Sequence, residues 1–152
     1  RLGVLGFAAR ASGLPGDLRC DRARAPYDQL AVRRAQRTEG DVAARVAVRF
    51  DEVLESLRLC RLLVETLPGG AARVELPPVP GERCGYGLVE GWRGPVFVAL
   101  ETAAGDRIRR CHPHDPSWQN WPALEHAVIG NIVPDFPLIN KSFNLSYSGH
   151  DL

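Results

Sequence analysis

The residues best equipped for chemistry lie late in the chain. Cys111-His-Pro-His114-Asp115 gathers thiol, imidazole and carboxylate groups of the kind that bind zinc or nickel. Its spacing matches no common metal motif, and Pro113 fixes a bend between the two histidines. The favoured reading is a turn between a strand and a helix, with Asp115 as cap. Further on, Ser146, His150 and Asp151 fall within a six-residue stretch. Acting as nucleophile, base and orienting acid would demand a tight fold-back, so no triad is assigned. His150 is the one imidazole of the tail. Cys20, Cys60, Cys84 and Cys111 are widely spaced and form no C-x-x-C pair, so free thiols are expected. No glycine-rich dinucleotide fingerprint and no P-loop is present. Trp92-Arg93 sits between two strand-like runs, as an interface anchor or as a ring folded back onto the sheet.

These groups must be positioned by a few elements. Thr38-Glu-Gly-Asp41 has the form of a capping box ahead of an apolar run. Val46, Phe50, Val53, Leu57, Cys60 and Val64 then recur at spacings of 4, 3, 4, 3 and 4, which keeps one stripe on one helix face. Leu67-Pro-Gly-Gly70 ends that helix, and a proline- and glycine-rich connector follows. The period then changes to two. Tyr86–Glu90, Pro95–Glu101 and Arg107–His112 read as a three-stranded antiparallel meander, turned at Gly91–Gly94 and at Ala103–Asp106. Asp115-Pro116 opens a second helical region, in which Pro122 marks a possible restart. Residues 16–37 read as irregular, with Tyr27 as an anchor.

The fold class is therefore α+β, a long-helix bundle with a small antiparallel β-meander. Residues 1–67 are mainly helical, 84–113 form the meander, 115–141 are helical, and 142–152 form a tail. The chain of 152 residues is 45% hydrophobic and 24% charged, enough for a real core. A net charge of +1 predicts no nucleic-acid partner. No apolar run approaches the ~18 residues that cross a bilayer. The start at Arg1, inside an apolar pattern, reads as a piece of a longer protein.

Several strings, in order, resemble one family. They are Ala9-Arg10-Ala-Ser-Gly13, Asp17-Leu-Arg19, Tyr27-Asp28, Arg37-Thr-Glu-Gly-Asp41 and Glu55-Ser-Leu-Arg58. Gly85–Glu90 with Arg93-Gly94, Arg110, Pro116-Ser-Trp118 and Ile132-Val-Pro-Asp135 continue the series. The chain resembles the C-terminal half of NiFe-hydrogenase large subunits and of their complex I relative, the quinone-site subunit of NADH–quinone oxidoreductase. The resemblance implies the C-terminal half of the hydrogenase large-subunit-like fold.

Membrane-bound hydrogenases of this group end in a motif like S-I-D-P-C-x-S-C-T-x-R, whose two thiolates bridge nickel and iron. The corresponding positions here are Ser146 and Gly149. The resemblance thus implies no metal held by this chain. It implies instead an electron-transfer subunit that reduces quinone or a similar acceptor at the vestigial cavity. Arg10, Ser146, Gly149, His150 and Asp151 would line that cavity, with Trp92 and Arg93 at an interface. Electrons would come from an iron–sulfur cluster in a small partner subunit. Membrane subunits would be further partners, and the site of action the cytoplasmic face of the inner membrane, peripherally. The fragment alone is expected to be inactive. The terminal Asp151-Leu152 lacks the arginine usual in the complex I branch. That departure keeps an alternative open: a redox-inactive structural subunit of a hydrogenase-4 or formate-hydrogenlyase-like membrane complex. A piece of such a complex should expose apolar surface on its first segment and on one side of the long helix.

Overall fold

A computed structural model describes residues 2–78 and 81–150. The order of elements is α1 (Gly6–Ala11), α2 (Leu18–Asp21), α3 (Val42–Glu65), β1 (Arg83–Gly91), β2 (Gly94–Ala103), β3 (Arg107–His114), α4 (Ser117–Ala127) and α5 (Phe136–Phe143). Single 3-10 turns at Tyr27–Gln29 and Val133–Asp135 lie between them. The class is α+β, as the change of period implies.

The long helix forms, but its start and its buried face both differ from expectation. Asp41, not Thr38, is the N-cap, and its carboxylate accepts from the Ala44 amide at 2.7 Å. Gly40 at φ +68° breaks the helix before that point. The face turned inward carries Ala44, Arg45, Val48, Glu52, Glu55 and Leu59. The expected stripe lies outside: Phe50 is 68% exposed and Val64 76%. The polar face can be buried because each of its ionic groups finds partners. Arg45 donates to the Ser142 hydroxyl at 2.9 Å and to the Gly40 carbonyl at 2.7 Å, and lies 4.1 Å over the Phe143 ring. Glu55 accepts from Arg58 and from the Arg33 amide. Glu52 pairs with Arg10.

Two small apolar cores flank α1. Phe7 and Ala11 pack with Ala44 and Val48 of α3. Ala8 packs with Ala123, Leu124, Ile139, Phe143 and Leu145 of α4, α5 and the tail. The first segment is therefore not an apolar patch. All of α1 is buried, and the large apolar residues exposed in the segment are Leu2 and Leu14 on its flanks. A helix of six residues thus contributes to both apolar cores.

The meander forms in the order β1-β2-β3, antiparallel throughout, with a register irregularity at Glu101/Thr102. Gly91 pairs with Gly94, so Trp92-Arg93 is a two-residue hairpin tip. Only this end of the sheet is packed: Arg83–Val89 and Arg107–His112 are exposed. The tip presses on the start of α1. A β-carbon at Gly6 would lie 2.2 Å from the Arg93 carbonyl carbon, and Gly6 has φ +61°, so only glycine fits. Residues 117–127 are one helix that runs through Pro122, near its middle, without a restart.

Candidate functional site

The tail is held over the first turn of α4 by two clasps. Helix α5 ends at Asn144, whose left-handed conformation (φ 49°) turns the chain. Arg93 at the hairpin tip donates to both the carbonyl and the side-chain oxygen of Asn144. Beyond it Leu145 is buried, and the Ser146 amide donates to the Ser117 hydroxyl at 3.0 Å. Asn120, 1% exposed, fixes the other side by accepting from the Leu5 amide at 2.8 Å and donating to the Arg93 carbonyl at 3.2 Å.

Residues 146–149 then form a tight turn. The Ser146 hydroxyl accepts from the Gly149 amide at 3.0 Å and lies 3.4 Å from the Ser148 hydroxyl. Gly149 is buried against Asp115. A β-carbon there would sit 2.8 Å from Asp115 Cγ, 2.9 Å from its Cβ and 2.9 Å from Ser146 Oγ. The His150 ring packs 4.9 Å from Trp118 and 5.9 Å from Trp121, which also meets Tyr147 at 5.2 Å. Trp121 Nε1 is buried with no hydrogen-bond partner among the described residues. Asp151 lies outside the described residues.

Ser146, Gly149 and His150 are thus brought together, and Arg10 is placed elsewhere. Its guanidinium, 1% exposed, donates to Glu52 Oε1 at 2.7 Å, to the Gly16 carbonyl at 2.8 Å and to Glu90 Oε1 at 3.1 Å. Trp92 stacks on Phe7 at 5.4 Å with Arg49 over its outer face at 4.5 Å, and remains 41% exposed. Arg93 is occupied within the chain by Asn144. The Cys111–Asp115 run is split by position: Cys111 and His112 are exposed on β3. His114 Nε2 contacts the Gln119 side chain, and Asp115 accepts from the Ser117 amide at 2.7 Å. Among the described residues no group of three or more His, Cys, Asp or Glu is placed to hold a metal. Reading by sequence alone missed Ser117 and the role of Asp115 against Gly149. It also missed Glu52, Glu90 and Asp17 around Arg10. The only signal for the last two was their place in strings already noted, Asp17-Leu-Arg19 and the hairpin ending at Glu90.

A family model for the respiratory-chain NADH dehydrogenase 49 Kd subunit matches residues 1–83, more than half of the chain. The chain belongs to that family. Among relatives of this 49 kDa-type subunit is the carbon monoxide-induced hydrogenase of Rhodospirillum rubrum, 34% identical over 143 residues, 93% of this chain and 39% of that protein. Formate hydrogenlyase subunit 5 of Escherichia coli K12 is 31% identical over 147 residues, 97% of this chain and 26% of that protein. A chain of the membrane-bound sulfane sulfur reductase, an archaeal respiratory membrane complex, superposes with a TM-score of 0.83 at 27% identity, over 100% of this chain and 43% of that one. The chain thus spans about a quarter to two fifths of these relatives' length. The 49 kDa-type family is one of complex I and hydrogenase-like oxidoreductase subunits, and the helix–meander–helix arrangement is its hydrogenase large-subunit-like fold. No helix among the described residues is long and apolar enough to cross a membrane.

Proposed function

We propose that the full-length protein is an electron-transfer subunit that reduces a quinone or similar acceptor, without a nickel–iron centre, in a membrane-attached respiratory complex. The observation that carries this is the crowding at Gly149. Two thiolates are the soft ligands that such a centre needs from this part of the fold. At one position stands Ser146, a hard hydroxyl already engaged by the Gly149 amide. At the other there is no side chain, and Asp115 fills the space in which one would begin. The residues present do not fit the metal group.

In this reading the acceptor would lie against Ser146, Gly149 and His150. Quinone reduction consumes two electrons and two protons. In this reading the electrons arrive from an iron–sulfur cluster in a small neighbouring subunit. Membrane subunits anchor the assembly at the cytoplasmic face of the inner membrane, with this subunit peripheral. The rings of Trp118 and Trp121 provide apolar surface beside the His150 imidazole.

The same crowding supports a second reading, a redox-inactive scaffold in a formate-hydrogenlyase-like complex, because a filled cavity has no room for an acceptor. Metal analysis and acceptor reduction by the purified full-length complex test both. We expect nickel far below one atom per chain, together with reduction of a water-soluble quinone analogue. Stoichiometric nickel overturns the first reading. A complex whose cluster is reduced but which reduces no acceptor leaves the scaffold.

A further inference from the structure

Outside the tail, one buried cluster has no part in the function above. Arg10 of α1, Asp17 and Arg19 at α2, Glu52 of α3 and Glu90 of β1 converge, each with a side chain no more than 15% exposed. Two guanidiniums face three carboxyl groups. Arg19 holds Asp17 with two side-chain bonds of 3.0 and 2.8 Å and a backbone bond of 3.0 Å. Asp17 therefore takes all the hydrogen bonds that Arg19 makes within the cluster. Arg10 is left to serve both glutamates. It meets Glu52 Oε1 at 2.5 and 2.7 Å and Glu90 Oε1 at 3.1 Å, while its distance to Asp17 is 3.9 Å. The Leu18 amide, a neutral donor, meets Glu90 Oε2 at 3.1 Å. Other charges stand further out: Arg49 lies over Trp92, and Asp21 pairs with Arg34.

A buried negative charge in excess of its cations is expensive, and a carboxyl group in that position takes up a proton instead. Asp17 is the wrong acid for it, since every bond that it accepts favours the anion. The choice falls on the two glutamates that divide one guanidinium. Both also line a cavity of about 360 Å3 between α3 and the hairpin, together with Ser56, Cys60 and Trp92. The cavity gives the proton a route in and out.

We propose that Glu52 and Glu90 share one exchangeable proton around Arg10 at neutral pH, making this cavity a proton-binding site. The inference is independent of which acceptor the tail cavity serves. Burial raises both glutamates from the ordinary carboxylate value, and the Leu18 amide and Arg10 at Glu90, like Arg10 and Arg19 at Glu52, offset only part of it. Two acids coupled through one cation titrate as a pair, so the proton belongs to both.

Infrared difference spectroscopy of the full-length protein in its complex, in H2O and in D2O across about pH 5 to 9, reads this directly. We expect a carbonyl stretch from one protonated carboxyl group at neutral pH, shifted in D2O and lost on the alkaline side. Glu52→Gln and Glu90→Gln should each abolish it, because either removes the excess charge and leaves the other glutamate ionised against Arg10. Absence of the band in the unmodified protein overturns the proposal whether or not the variants fold. So does a band that survives either substitution, which would put the proton on one acid alone or elsewhere.

Discussion

A missing methyl group at position 149 shapes the tail. Asp115 and Ser146 both lie within 3 Å of where that carbon would be. Gly149→Ala should therefore cost about 1–3 kcal/mol as an overpacking change. Asp115→Gly removes both carboxylate-side contacts, so the double variant should lose less than the two single variants together. Denaturant unfolding in a double-mutant cycle measures that coupling, and simple additivity would show that the contact does not matter. The ionic residues make opposite statements about pH. Burial pushes Glu52 and Glu90 up. Such an acid stabilises the fold fully below its unfolded value, about 4.3, and that contribution is lost as pH rises through the raised value. Burial also pushes Asp17 up, but the Arg19 hydrogen bonds and the charges of Arg19 and Arg10 outweigh it and hold the carboxyl low. Its contribution is present above the unfolded value and lost as pH falls through the lowered one. The gain in melting temperature from Glu52→Gln over the unmodified protein should thus grow as pH rises from about 5 to 8. A gain that shrinks with pH would mean Glu52 is an ordinary ionised partner of Arg10.

At the scale of elements, α3 reverses the usual relation between pattern and core. Its regular apolar stripe faces out, and its inner face is half ionic. Val48, 0% exposed, is its most deeply buried apolar side chain. In the chain of residues 1–152, Val48→Ala should cost about 1–3 kcal/mol. Phe50→Ser, on the outer stripe, should stay within about 0.5 kcal/mol. Urea unfolding of the two variants compares them, and the opposite ranking would restore the stripe as the core. The hairpin shows the same dependence on neighbours. A Trp-Arg tip suggests either an interface anchor or a ring folded back onto the sheet; Trp92 lies on Phe7 while keeping an exposed edge, and Arg93 holds Asn144. The sheet docks by its tip and leaves its body exposed.

For the whole molecule, the exposed stripe of Phe50, Val53, Leu54, Leu57 and Val64 is contiguous apolar surface on one side of a helix roughly 36 Å long. The chain spans about a quarter to two fifths of its relatives' length. A pattern that predicts burial and is found exposed fits a rod whose other neighbours lie in the rest of a longer protein. Much of this was legible beforehand. The change from a period of 3.6 to 2 located the long helix and the three strands, and the ordered strings pointed to the family. Ser146 and Gly149 at the tail positions were readable without coordinates, because side-chain type decides what can ligate a metal. What the sequence could not carry was which groups meet. Arg10 and the tail residues were joined by resemblance, whereas folding gives Arg10 to Glu52 and Glu90 and gives Gly149 to Asp115. Those partners lie far apart along the chain, and hydrophobic periodicity holds no information about contacts of that range. The residue types alone determined that the tail offers no thiolates. Only the tertiary structure decided that the Asp115 side chain packs against Gly149 and that three buried acids share two arginines, because burial and distance, not composition, set the cost of a charge.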